Sequence, residues 1–212
     1  MTTVAEKWTQ VLGDVGVRYV CGNPSGPWVE YMEALRNSDM DFILVSNEAS
    51  GAIMADVCGR LSGIPGACYG TFGPGAVNLA SGVGGALLDR SPVLAFTHEV
   101  PEAMLGRTTQ MGIDHQAIYR PITKWTTRLE ANHVEETLLR AVHVATSEVP
   151  GPVHIGLPSD LGTKRANEET FQIDPAQLPG LPEAELLDQL CAKFESARKP
   201  LLVAGLTAAR SN

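Results

Sequence analysis

Glu48 closes the segment FILVSNE, where a carboxylate arrives at the end of an apolar run. A second apolar run, ACYGTF, ends in the turn GPGAVN, residues 73–78. A carboxylate can hold a proton for a bound ligand, and a glycine turn lets that ligand approach the backbone closely. Both would sit at the carboxyl edge of a parallel sheet, where open α/β sheets bind ligands. Glu99 lies about 20 residues further on, where the acid that binds a ribose stands in dinucleotide-binding folds. His98-Glu99 and Asp114-His115 are metal-ligating types, but neither has a second histidine at helical or hairpin spacing, so no metal site is expected. Ser25, Ser46 and Thr71 are hydroxyls near strand ends, and none stands in a GxSxG signature, which argues against a nucleophilic triad.

Two readings of the turn stay open on spacing alone. GPGAVN approximates the GxGxxG fingerprint, with Asn78 in place of the third glycine and Pro74 removing one backbone N–H from a phosphate-binding loop. It could equally be a tight strand-to-helix turn with no ligand. Glu48, by spacing alone, reads first as a helix-start acid that complements the dipole.

The elements that would position these residues alternate. Val4, Trp8, Val11, Leu12 and Val15 recur at helical spacing and Gly16 stops them. VRYVCG (17–22) reads as a strand, and Pro27 opens the helix WVEYMEALR. DFILVS (41–46) reads as a strand buried on both faces, followed by a small-residue helix over 49–62 and the strand ACYGTF. Residues 75–89 form a glycine-bearing helix, each glycine costing about 1 kcal/mol relative to alanine unless close packing compensates. PVLAFT (92–97), a long connection over 98–121, ITKWTTRL (122–129), a helix after the Asn132/Glu135 capping box with the stripe Val134, Leu138, Leu139 and Val142, and VHIGL (153–157) complete the set. The alternation predicts an α/β fold, a doubly wound parallel sheet with helices on both faces. Residues 1–162 make this domain and 163–182 a polar, proline-bearing linker. The helix 183–197 and the strand PLLVAGL (200–206) read as the truncated start of a second α/β domain over 183–212.

Composition narrows the function. Charged residues make up 19% and the net charge is −8, with no basic patch, which argues against nucleic acid and anionic membrane as partners. There is no signal-peptide pattern and no apolar run near the about 20 residues of a membrane span, so a cytoplasmic protein is expected. Cys21, Cys58, Cys68 and Cys191 lack CxxC spacing; they read as buried reduced thiols, with Cys21, Cys58 and Cys68 in apolar runs. Trp8, Trp28 and Trp125 lie in different elements and read as core or interface packing.

The blocks VRYVCGNPSGP, NEASGAIMADVCGRLSGIPGACYGTFGPGAVNLASGVGGALLDRSPVLAFT and RPITKW together resemble the N-terminal pyrimidine-binding domain of thiamine diphosphate enzymes. The branch is acetolactate synthase-like, with benzoylformate decarboxylase as a relative, and the resemblance covers most of residues 4–160. It implies that Glu48 hydrogen-bonds N1′ of the cofactor's aminopyrimidine and so promotes loss of the thiazolium C2 proton. The 2-oxo acid is then decarboxylated or ligated with the ring as electron sink. Pro24, Thr71 and Asn78 would line the pyrimidine pocket, and Gly73 and Gly75 would let backbone approach the ring. Ser25, Phe72 and Gln110 fall in substrate-lining positions. Thr71 stands where the benzoylformate decarboxylase branch has its active-site histidine, and Ser25 is displaced by one from that branch's serine; both departures lean towards carboligation. Phe72 stands where that branch usually has serine, which leaves the substrate open. The family binds the diphosphate and Mg²⁺ through a GDG…N motif in another domain, and no GDG occurs here. This piece alone would then be inactive, its other half coming from a second subunit in a homodimer or homotetramer. FAD, bound by some acetolactate synthases, is left open. Two alternatives stand beside this reading: an NAD-binding Rossmann-type oxidoreductase domain, and a non-catalytic truncated regulatory or assembly module.

Overall fold

The computed structural model describes residues 2–107, 109, 111–167, 171, 182–205 and 208. The chain divides into two compact units, 1–176 and 177–212. The first opens with α1 (Val4–Asp14), whose N-cap Thr3 forms a reciprocal capping box with Glu6. The order then runs β1 (Tyr19–Gly22), α2 (Val29–Arg36), β2 (Asp41–Leu44), α3 (Glu48–Ser62), β3 (Gly66–Gly70), α4 (Pro74–Leu88) and β4 (Val93–Glu99). It continues through α5 (His115–Tyr119), β5 (Trp125–Arg128), α6 (Val134–Thr146) and β6 (Pro152–Pro158).

The six strands pair in the order β2-β1-β3-β4-β6-β5, all parallel. Chain order reverses between β1 and β3, which makes their carboxyl ends the switch point where such sheets leave a crevice. The two faces differ in kind. One carries α1, α2 and α6 over an aromatic core of Trp8, Trp28, Tyr31, Tyr69 and Phe96. Trp28 stacks on Tyr69 at 3.8 Å between centroids, and Trp8 meets Phe96 edge-on at 5.0 Å. The other face carries α3, α4 and α5 over small residues: Ala52, Ala55, Cys68, Ala76, Ala86 and Ala95.

The glycines of α4 are compensated by close approach. A Cβ on Gly82 would stand 2.6 Å from the Ala52 Cβ and 2.7 Å from the Ala49 carbonyl oxygen. α3 and α4 therefore touch backbone to backbone, and dispersion contacts offset the lost helix propensity.

The structure corrects five sequence expectations. β2 is an edge strand with a half-exposed pattern, because β1 alone pairs with it. The connection over 98–121 begins inside β4, which runs to Glu99, and contains α5, too short to show a period. Asn132 and Glu135 form no capping box: a short 3₁₀ turn, Ala131–His133, leads into α6, and Glu135 is taken by an ion pair with Lys7 and by the Phe171 N–H. Cys58 is exposed on α3, while all four cysteines are free. In the second unit, α7 (Ala184–Ser196) forms, but 201–205 form no strand, since a lone strand has no ladder to join.

Substituting Gly82 by valine should drive α3 and α4 apart. Overpacking of this kind costs about 1–3 kcal/mol, so the unit should melt several degrees lower by calorimetry; an unchanged Tm would show that the helices are not in close contact.

Candidate active site

Asn47 caps α3, its side-chain oxygen accepting the Ala49 N–H at 2.9 Å, and this fixes Glu48 in the first turn. Glu48 is only 6% exposed. Its Oε2 accepts a hydrogen bond from Asn78 Nδ2 at 3.1 Å. Among the described residues no donor is bonded to Oε1. Gly75 makes this approach feasible, since a Cβ there would lie 3.2 Å from Glu48 Oε1 and 2.7 Å from Thr71 Cγ2. Thr71 donates to Ser25 Oγ at 2.6 Å, which ties the end of β3 to the end of β1. Glu48, Gly75, Asn78, Thr71 and Ser25 thus form one run of contacts at the switch point. Pro24 precedes Ser25 in the half-buried connection after β1. Phe72 and Gly73 continue the turn after β3, Phe72 with its ring 5.4 Å from that of His98. Gln110 lies outside the described residues.

Gly73 has φ +53°, a left-handed conformation that favours glycine. Its N–H donates to His115 Nε2 at 3.3 Å. Pro74 has no N–H, and the Gly75 N–H bonds the Phe72 carbonyl at 3.3 Å. The start of α4 therefore offers no free fan of donors for a pyrophosphate. Glu99 pairs with Arg128 at 2.8 Å and accepts from Gln116 at 2.7 Å, so it is not available to a ribose. Together these contacts disfavour the dinucleotide reading.

A cleft of about 710 Å³ adjoins the turn, lined by Phe72, Glu99, Arg107, Asp114, His115 and Arg128 among others. A larger groove, about 940 Å³, runs between α1 and α2 and contains none of the residues above.

Sequence reasoning named His98, Glu99 and His115 only as possible ligands and missed His154 and the buried bonding of them all. His98 is fully buried, its Nδ1 2.6 Å from the Tyr69 hydroxyl. Burial pushes the His98 imidazole down to about 4, and burial does the same to His115, also to about 4. His154, fully buried in β6, is held well below the ordinary imidazole range. Burial raises the Glu99 carboxyl, and Gln116 and Arg128 pull part of that back. The available signal was His154 itself, a polar side chain inside the apolar strand VHIGL, which requires a buried partner. Among the described residues no cluster of three potential metal ligands occurs, and no helix is long and apolar enough to cross a membrane.

The buried histidines make stability depend on pH. Their folded values lie below the unfolded value of about 6.5, so the unfolded chain takes up protons first as pH falls. Stability should be intact above about pH 6.5 and be lost as pH falls from there through about 4. The slope approaches about 1.4 kcal/mol per pH unit for each histidine, with Glu99 opposing part of it. Urea midpoints measured across this window check the point; a flat profile would contradict neutral buried imidazoles.

Comparisons with known proteins bear on the site. Residues 2–118 match the family model described as thiamine pyrophosphate enzyme, N-terminal TPP binding domain. A probable acetolactate synthase large subunit of Methanocaldococcus jannaschii is 35% identical over 209 residues, 95% of this chain and 35% of that protein. Acetolactate synthase 2 of Nicotiana tabacum is 34% identical over 199 residues, 90% of this chain and 30% of its own. A probable 2-ketoarginine decarboxylase of Pseudomonas aeruginosa is 32% identical over 211 residues, 96% and 37%. The chain spans about a third of the length of the curated relatives it matches.

Proposed function

The chain belongs to the thiamine pyrophosphate enzymes, as their N-terminal TPP binding domain, and from that premise we propose that it holds the aminopyrimidine half of a thiamine diphosphate site. The protein containing it would decarboxylate or ligate 2-oxo acids in the manner of acetolactate synthases. The observation that carries this reading is the Glu48 carboxylate: 6% exposed, one oxygen fixed by Asn78 and the other without a donor among the described residues.

The residues present fit the group. A planar heterocycle with a ring nitrogen can meet Oε1, and Gly75 leaves the space that a side chain would fill. When bound, thiamine diphosphate supplies a carbon nucleophile and an electron sink for a 2-oxo acid. This chain's share is to hold a proton between Glu48 Oε1 and the ring nitrogen. The Asn78 amide keeps the carboxylate aligned, and burial of the site strengthens that hydrogen bond. Thr71 and Ser25, already hydrogen-bonded to each other, form the polar wall beside it. Phe72 and the adjoining cleft would face the 2-oxo acid. The diphosphate, with Mg²⁺, would be held outside this chain.

The outer face of α3 supports a paired assembly. Ile53, Met54, Val57 and Leu61 are exposed by 54%, 40%, 39% and 81%, and they repeat at helical spacing. An apolar stripe beside a half-occupied carboxylate suits the same face of a second subunit, whose separate diphosphate-binding domain would complete the site.

Glu48→Gln in the full-length protein should lower 2-oxo acid turnover at least about a hundredfold while circular dichroism stays unchanged; turnover at the wild-type rate would refute the role. Leu61→Arg should shift the sedimentation of the full-length protein towards monomer, and an unaltered dimer would place the interface elsewhere.

A further inference from the structure

The Gly73 turn is held by a chain of buried hydrogen bonds whose direction is fully determined. A backbone N–H can only donate. Because Gly73 N–H points at His115 Nε2 at 3.3 Å, that nitrogen must be unprotonated, and a neutral His115 carries its proton on Nδ1. Nδ1 lies 2.9 Å from Thr97 Oγ1, so Thr97 accepts there. The single Thr97 hydroxyl proton is then free for His154 Nε2 at 2.8 Å. His154 must in turn carry its proton on Nδ1, which faces Thr126 Oγ1 at 2.7 Å. Thr126 donates to Gln116 Oε1 at 2.7 Å, and Gln116 Nε2 donates to Glu99 Oε1 at 2.7 Å. Glu99 closes the chain as a pure acceptor, its other oxygen paired with Arg128.

The chain leaves α5 at His115, crosses β4, β6 and β5, and returns to α5 at Gln116. Thr97 and His154 are fully buried, and His115 is nearly so. No link can reverse alone, because each reversal leaves a buried donor facing a donor. One end is the turn at the candidate pocket. The other is the Glu99–Arg128 pair that lines the cleft of about 710 Å³.

We propose that His115 is a positioning residue: in its Nδ1–H form it accepts the Gly73 N–H and so fixes the turn at the pyrimidine pocket, with Gln116, which donates to Glu99 and to the Thr127 carbonyl, holding the far end of the chain in the same sense. The importance of that turn rests on the functional reading above; the chain itself does not. Protonation of His115 would turn Nε2 into a donor against the Gly73 N–H and release the turn. The charged and titratable groups around His115 are Asp114 on its own segment, Arg128 from β5, His154 from β6 and His98 from β4.

Nitrogen-15 NMR of the imidazoles in the full-length protein at neutral pH tests this directly. We expect His115 and His154 both in the Nδ1–H form, and a His115 protonated on Nε2 would overturn the proposal. His115→Leu should speed exchange of the Gly73 amide by at least about tenfold. His115→Gln, whose amide can both accept and donate, should restore protection. Equal exchange in the two variants would overturn the positioning role. In turnover assays, His115→Leu should lower kcat about tenfold with KM little changed, with rescue by His115→Gln. A wild-type protein that turns over no 2-oxo acid would overturn the functional reading, while the imidazole and Gly73 signals would still decide the positioning role.

Discussion

The close approach of α3 and α4 is the constraint from which the rest of the site follows. With Gly82 against Ala52 and the Ala49 carbonyl, the two helices pack nearer than side chains would normally allow. The same spacing carries to their N-terminal ends, where Gly75 stands against Glu48 and Asn78 reaches its carboxylate. A wider helix pair would leave Glu48 solvated and Asn78 out of range. The small-residue core beneath these helices is the consequence, and the aromatic core on the opposite face supplies the bulk they give up. A sheet with unequal faces, one heavy and one thin, brings backbone and ligand together on the thin side.

Beneath the turn, the polar chain solves a different problem. Burying two imidazoles, two threonines and an amide without partners would cost several kcal/mol. Joining them head to tail from Gly73 to Glu99 satisfies them in sequence and ends on an ion pair. The cost of any unpaired member gives the arrangement its single polarity. It also staples α5, only 5 residues long and too short to persist alone, onto the sheet. Tyr119 adds a second tie, stacking on His154 at 3.9 Å and donating to the Ala76 carbonyl at 2.7 Å.

Much of this was legible in the sequence, and the failures share a cause. The apolar runs placed the six strands, and the small residues after Glu48 marked α3, because burial and periodicity are local signals. The edge position of β2 was not legible, since it depends on which strands become neighbours. The Asn132/Glu135 pair matched a capping signature, but Lys7, more than a hundred residues away in sequence, competes for the glutamate. His115 and Gln116 lay in a segment without a period, Arg128 in a strand whose neighbours the sequence does not name, and their partners come from other strands. Glu48 shows the boundary most clearly. Its place at the start of a helix followed from the flanking residues, whereas its burial and its bond to Asn78 needed the helix spacing.

The apolar stripe on α3 and the half-bonded carboxylate at its start belong to one argument. Each large side chain covered on that stripe contributes about 1.5–3 kcal/mol, enough for a few of them to support association. Covering them by a second copy would also exclude water from that end of α3. In the drier site, a carboxylate oxygen without a donor costs more, and a ligand N–H that reaches it stabilises correspondingly more. A second copy and an aminopyrimidine would therefore each favour binding of the other, by the same coupling free energy in both directions. On this view the exposed stripe is not an imperfection of the fold. It would be the means by which a domain holding half a site makes cofactor binding depend on finding the other half.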